Sequence, residues 1–443
     1  MKKPRRRVSL IGMKEVNFNN KKPELMAPAG DMISLRSALD AGADAIYFGV
    51  VSMNMRASAR NFAVEDMKEI ARITHDSGAK AYLALNTIVF DRELELAEKI
   101  VAAAAEASID AIICWDFAIL ELALKHKISP FISTQMSVAN SASLLFLNRQ
   151  FGIKRFVLAR ECTLEEIVSI RKQIMLLAGE QAGSIELEVF AHGAMCVSVS
   201  GRCFMSQFQF DGSANRGECR QPCRREYLIK DIRDGKEFLL GQDYVMSPKD
   251  LCSLPFLDKI LAAGIDSLKI EGRGRSPEYV SVVTACYRQF IDFYYHEKEA
   301  AGFDDRLAAL KTELMGRLDS VFHRGFSDGF FFGRQISDWT GGNGSKATHR
   351  KVHVGTVTNF FKKVMVAEIR VEGSGFACGD ELMFQGATTG VVSMKVESIE
   401  EAFKPVQIAG KDSLVGVKLP GVVRENDQVY KMVAVDELEN ARQ

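Results

Sequence analysis

Glu24-Leu25-Met26-Ala27-Pro28-Ala29-Gly30-Asp31 is the stretch that decides the fold. Its first five residues form an apolar run of strand length. The loop that follows lacks the G-x-G-x-x-G spacing with which a doubly wound open sheet usually announces its phosphate-binding turn. Short apolar or β-branched runs recur at 45–50, 81–86, 111–116, 130–135, 155–160, 186–192 and 267–273, each separated from the next by a helical pattern. Eight such runs predict an α/β fold, a closed TIM-like (β/α)8 barrel.

The intervening segments agree with this. Met32, Leu35 and Leu39, and later Leu94, Leu96, Ile100, Ala103 and Ala104, recur at helical spacing. Asp31 and Thr163 stand where N-caps belong, and Gly42 and Gly152 where helices stop. The barrel is expected over 23–299, with a Cys-rich insertion at 194–255 between the seventh and eighth strands. A helical segment and linker follow at 300–349, then short alternating strands that predict a small β-barrel domain at 350–436.

The chain of 443 residues balances 57 basic against 57 acidic side chains, so net charge gives no direction about partners. Residues 1–22 read as a basic, disordered tail rather than a nucleic-acid anchor. The apolar stretch 8–13 is too short for a signal peptide or a membrane helix. The expectation is a cytoplasmic protein without membrane contact, its cysteines reduced.

In such a barrel, chemistry sits at the carboxyl ends of the strands. Asp31 and Asp116 read there as N-caps. Arg56, Arg160, Lys269 and Arg273 would ring the mouth with cations, which suits a carboxylate or phosphate held by guanidinium groups. Asn86, Gln135 and Glu271 complete the candidate substrate-binding set. His192 and Glu161 are the acid/base candidates by position, and His192 also qualifies as a metal ligand or a structural histidine.

Four of the nine cysteines gather in the insertion as Cys196-x6-Cys203-x15-Cys219-x3-Cys223, with Cys252 as a reserve ligand. Cys114, Cys162, Cys286 and Cys378 read as core or loop thiols. Disulfides are disfavoured by the compartment, and the six-residue gap suits zinc knuckles poorly. A four-thiolate iron–sulfur cluster tolerates such irregular spacing. Spacing alone leaves iron–sulfur, zinc and unliganded thiols open. The Cys-x3-Cys-x2-Cys triplet of radical S-adenosylmethionine enzymes is missing, because Glu226 stands where its third cysteine would be.

The residues Glu188-Val189-Phe190-Ala191-His192-Gly193-Ala194-Met195-Cys196, Ser200-Gly201-Arg202-Cys203-Phe204-Met205-Ser206 and Asn215-Arg216-Gly217-Glu218-Cys219-Arg220-Gln221-Pro222-Cys223-Arg224 closely resemble the signature of peptidase family U32, the collagenase-like proteins. The likeness extends through the first strand, Ser133-Thr134-Gln135, Lys249-Asp250-Leu251 and Ser267-Leu268-Lys269-Ile270-Glu271-Gly272-Arg273. The terminal β-domain also looks like those of translation factors.

The resemblance implies more than proteolysis. Family branches hydroxylate RNA without dioxygen: one makes 5-hydroxyuridine at the tRNA wobble position with prephenate as oxygen source, and another modifies a ribosomal RNA cytidine. A third acts on a ubiquinone precursor as a pair of homologous subunits. Carried over, Cys196, Cys203, Cys219 and Cys223 correspond to the ligands of a [4Fe-4S] cluster. The expected partners are tRNA, a small dicarboxylate co-substrate, an electron-transfer partner that the sequence does not identify, and a second, identical or homologous, subunit. Arg202, Arg216, Arg220, Arg224 and Arg225 make the cysteine segment a candidate phosphate-contacting surface. The alternative is a peptidase, for which the sequence offers no HExxH or GxSxG motif and only His192 beside Cys196 as a local Cys–His pair.

Overall fold

The computed structural model describes residues 21–240, 246–333, 338–342 and 344–440. All but the end of the expected basic tail lies outside them. Eight parallel strands form the barrel: β1 (Glu24–Pro28), β2 (Ala45–Phe48), β3 (Lys80–Ala84), β4 (Ala111–Cys114), β5 (Ser129–Ile132), β6 (Arg155–Val157), β7 (Glu186–Gly193) and β8 (Ser267–Ile270). Each pairs with the next, and β8 pairs with both β7 and β1, which closes the ring. The strands read as nearly continuous apolar runs because helices cover them outside and side chains fill them inside.

The outer layer comprises α1 (Met32–Asp40), α2 (Met67–Asp76), α3 (Leu94–Glu106), α4 (Phe117–Lys125), α5 (Ser141–Phe151), α6 (Leu164–Leu177), α7 (Leu257–Ala262), α8 (Pro277–Glu297) and α9 (Phe303–Asp319). Asp31, Asp116 and Thr163 cap their helices by accepting from Ser34, Ala118 and Glu166 backbone N–H groups. Gly152 ends α5 in the left-handed region, where glycine carries no Cβ penalty.

Inside the barrel, the floor is polar. Arg155, 3% exposed, is bound by Glu24 and by Glu186 at 2.7 Å, and its guanidinium lies 4.5 Å over Phe131. Met26, Tyr47, Tyr82 and Ile113 pack above it. Higher still, Lys269 is paired with fully buried Glu188 at 3.2 Å.

The cysteine segment leaves β7 and crosses the mouth with little regular structure beyond the helix Met205–Phe210 and a hairpin of Tyr227–Lys230 and Glu237–Leu240. The strand Asp250–Cys252, which the sequence did not announce, then pairs antiparallel with the end of β7. Beyond α9, eight antiparallel strands share one sheet in the order 390–395, 381–386, 428–434, 349–361, 366–371, 414–418, 399–401, 404–406. This sheet encloses its own apolar core and rests on the flank of the barrel. There Arg36 of α1 donates to Ala387 O and Lys351 pairs with Glu278 of α8. No helix among the described residues is long and apolar enough to cross a membrane.

A candidate active site beneath the cysteine segment

The loop after β2 folds over the mouth and is held by Asn54, which is fully buried. Its side-chain amide donates to Val50 O at 2.6 Å, and its Oδ1 accepts from Arg56 N and from Arg273 Nη1, each at 2.9 Å. Arg56 reaches Glu271 through Nη2 at 2.8 Å and Nε at 3.2 Å. Arg160 approaches the other carboxylate oxygen at 3.8 Å, donates to Ala194 O at 2.9 Å and lies 3.9 Å over the Phe190 ring. Its Nε is buried without a hydrogen-bond partner among the described residues. Three guanidiniums thus face one carboxylate.

Burial by itself would raise the Glu271 pKa, but Arg56, Arg160 and Arg273 overcome it and hold the group down to about 2. Burial lowers the pKa of Arg160 and of Arg273, with Glu271 opposing. Lys269 is lowered by burial too, partly restored by Glu188, and its ammonium sits 4.3 Å over Tyr47. On the opposite wall, Asn86 Nδ2 donates to Gln135 Oε1 at 3.2 Å, and Gln135 Nε2 donates to Ser200 O at 3.3 Å.

Arg56, Arg160, Lys269, Glu271, Arg273, Asn86 and Gln135 line one cavity of about 400 Å³, and Cys196, Cys203, Cys219 and Cys223 line it too. The segment is seated by Gly217, whose φ is +87° and whose Cβ, were there one, would lie 2.0 Å from Asn54 O. Backbone N–H groups of Ser198 and Met205 lie 3.4 Å from the sulfurs of Cys196 and Cys203. Burial lifts the Cys223 thiol to about 11; Arg224 draws it down, and the other three cysteines are near enough to push it up.

All four thiols are free. Among the described residues, no three His, Cys, Asp or Glu side chains converge tightly enough to hold one metal ion. Four thiols around a shared space, two of them receiving N–H bonds, are the soft donor set that an iron–sulfur cluster takes. In such a cluster each cysteine binds a different iron.

All seven substrate-binding candidates, Arg56, Asn86, Gln135, Arg160, Lys269, Glu271 and Arg273, reach the cavity. The two acid/base candidates do not. Glu161 is exposed on the turn after β6. His192 is 2% exposed, enclosed by Tyr279, Tyr287 and Phe326, and burial lowers it to about 3. A bulge explains this: Lys269 pairs with Phe190 but Ile270 pairs with His192, so the extra residue turns His192 from the barrel interior to its outer layer.

Cys252 also lies away from the cavity, buried with its sulfur 3.8 Å from Met315 Sδ. Of the segment's arginines, Arg216 is spent on Ile88 O and Glu93, and Arg224 on Met195 O and Ser247, whereas Arg202, Arg220 and Arg225 are exposed. Sequence reading missed Asn54, which sits in a loop without periodic pattern, and Ser200, whose φ of 49° carries its carbonyl towards Gln135.

The model of the family described as Peptidase family U32 matches residues 30–341. A collagenase from Porphyromonas gingivalis is 39% identical over 92% of this chain and 97% of its own length. The tRNA hydroxylation protein P1 of Bacillus subtilis is 32% identical over 86% of this chain and 87% of its own. A 23S rRNA 5-hydroxycytidine synthase of Escherichia coli is 36% identical over 70% of this chain and 46% of its own.

Proposed function

The chain belongs to peptidase family U32, and from that premise we propose that it is an RNA hydroxylase that works without dioxygen, converting a tRNA wobble uridine to 5-hydroxyuridine. The relatives named for tRNA and rRNA hydroxylation favour this reading. The observation that carries it is the meeting of Cys196, Cys203, Cys219 and Cys223 with Arg56, Arg160 and Arg273 around one cavity. A cubane [4Fe-4S] cluster on the four cysteines would supply redox chemistry at the mouth.

The side chains below have separable tasks. Arg56, Arg160 and Arg273 bind a small dicarboxylate, prephenate being the proposed oxygen source, because three cations against Glu271 leave positive charge to satisfy. Glu271 stays anionic and fixes the guanidinium planes. Asn86 and Gln135 present amide donors and acceptors to the edge of a base taken out of a flexible RNA loop. Phe190 and Tyr47 floor the cavity and limit water. The proton acceptor is a group other than His192 or Glu161, since neither touches the cavity.

The collagenase-named relatives favour a peptidase as the second reading. A cysteine peptidase needs a base within reach of its thiol, and among the described residues no histidine lines the cavity. Purified anaerobically, the chain is expected to carry about four irons and to leave gelatin and casein intact. Cleavage abolished by Cys196→Ser but retained by Cys219→Ser would establish the peptidase instead.

A further inference from the structure

A second cavity, of about 440 Å³, opens beside the first and shares Cys219, Gln221, Arg224 and Arg324 with it. Its wall adds Arg220 and Arg225, so four guanidiniums meet around one open space, and among the described residues no carboxylate lines it. Arg220 and Arg225 are exposed, and the Arg225 guanidinium lies 4.1 Å from the centre of the Phe210 ring. Arg324 is held by Asp250 at 3.3 Å, behind the cavity wall. Arg224 donates to Ser247 Oγ and to Pro248 O, each at 2.7 Å, which holds it in the wall.

An open recess whose charged lining residues are all arginines, and which shares a wall with the inner cavity, has the form of an entrance for a polyanion. Small anions are served by the inner site, where the guanidiniums already converge. The outer recess is more open and presents the exposed side chains of Arg220 and Arg225, as a chain of phosphates requires. We infer that the recess bounded by Arg220, Arg224, Arg225 and Arg324 binds the phosphodiester backbone of the RNA next to the nucleotide whose base enters the inner cavity. The inference rests on the RNA reading of the inner site and adds the path by which the strand arrives.

The test uses the full chain with its iron. Binding of unmodified tRNA is measured over a range of salt for the unaltered protein, for Arg220→Gln/Arg225→Gln and, as a control, for Arg72→Gln on α2. The double variant should bind about tenfold or more weakly at moderate salt. Its slope of log affinity against log salt should flatten by about 0.7 for each lost contact. Iron content should be unchanged, and Arg72→Gln should match the unaltered protein. Equal affinity and slope for the double variant and the unaltered protein would overturn the inference while leaving the RNA reading intact. Failure of the unaltered protein to bind tRNA or a 23S rRNA fragment would overturn both.

Discussion

Arg56 Nη2 lies 2.8 Å from Glu271 Oε1, joining residues 215 positions apart across the mouth of the barrel. The loop after β2 and the end of β8 are thereby locked together, with β1 between them. The same carboxylate faces Arg160, so its removal frees two guanidiniums at once. Glu271→Gln keeps the shape but loses the charge that orients them. Hydroxylation should fall at least about tenfold, because misplacement by about an ångström is enough for that. Steady-state assay of modified nucleoside against co-substrate concentration checks it, and unchanged turnover would show that Glu271 has no organising role.

The same carboxylate gives a pH signature. Its folded pKa of about 2 lies below the unfolded value of about 4.3. A depressed carboxylate stabilises the fold above its unfolded pKa, and the contribution drains away as pH falls through the folded one. The stability gap between the unaltered protein and Glu271→Gln should be constant from about pH 8 to about pH 5 and shrink below about pH 4. Urea unfolding across that range measures it.

Arg155 answers to three buried or half-buried glutamates at the barrel floor: Glu24, Glu186 and Glu188. Arg155→Met would remove the cation they share, leaving Glu188 to Lys269 and Glu24 to Lys80 and Tyr82, so the fold should lose about 3–5 kcal/mol. Cys196, Cys203, Cys219 and Cys223, at the opposite end, should be untouched. Chemical denaturation and iron analysis separate the two effects.

Serine replacement of Cys196, Cys203, Cys219 or Cys223 should each remove most of the iron. Cys252→Ser should retain it, since Cys252 packs against Met315 outside the cavity. Iron loss with Cys252→Ser alone among the five would reassign the ligand set.

His192→Gln should lower stability by about 1–3 kcal/mol, the range for disturbing a buried polar group. Glu161→Gln should do nothing measurable. Both should keep their hydroxylation rate per folded molecule, and a flat loss of rate in either would restore it to the catalytic list.

The barrel was legible because each strand, buried on two faces, writes a continuous apolar run, and β1 emerged with the limits that its sequence suggests. The runs overshoot elsewhere because Asn86, Gln135 and Arg160 come two or three residues after their strands end and have left the sheet to face the cavity. What stayed hidden depended on register and on pairing between distant segments. The bulge that turns His192 outward has no mark in the strand's own sequence. Cys252 is drawn out of reach by pairing with β7, and the spacing of cysteines carries no information about that. The division of the arginines into Arg216 and Arg224, which hold the segment down, and Arg220 and Arg225, which remain available, likewise needs the folded chain.

The central claim is hydroxylation of RNA at the cavity shared by the cysteines and the arginines. Its most direct measurement is nucleoside mass spectrometry of tRNA from a strain lacking this chain, complemented with the unaltered protein or with Cys219→Ser. The account predicts that 5-hydroxyuridine and its derivatives disappear, return with the unaltered protein and stay absent with Cys219→Ser. Undiminished 5-hydroxyuridine in the tRNA of the deletion strain would contradict it.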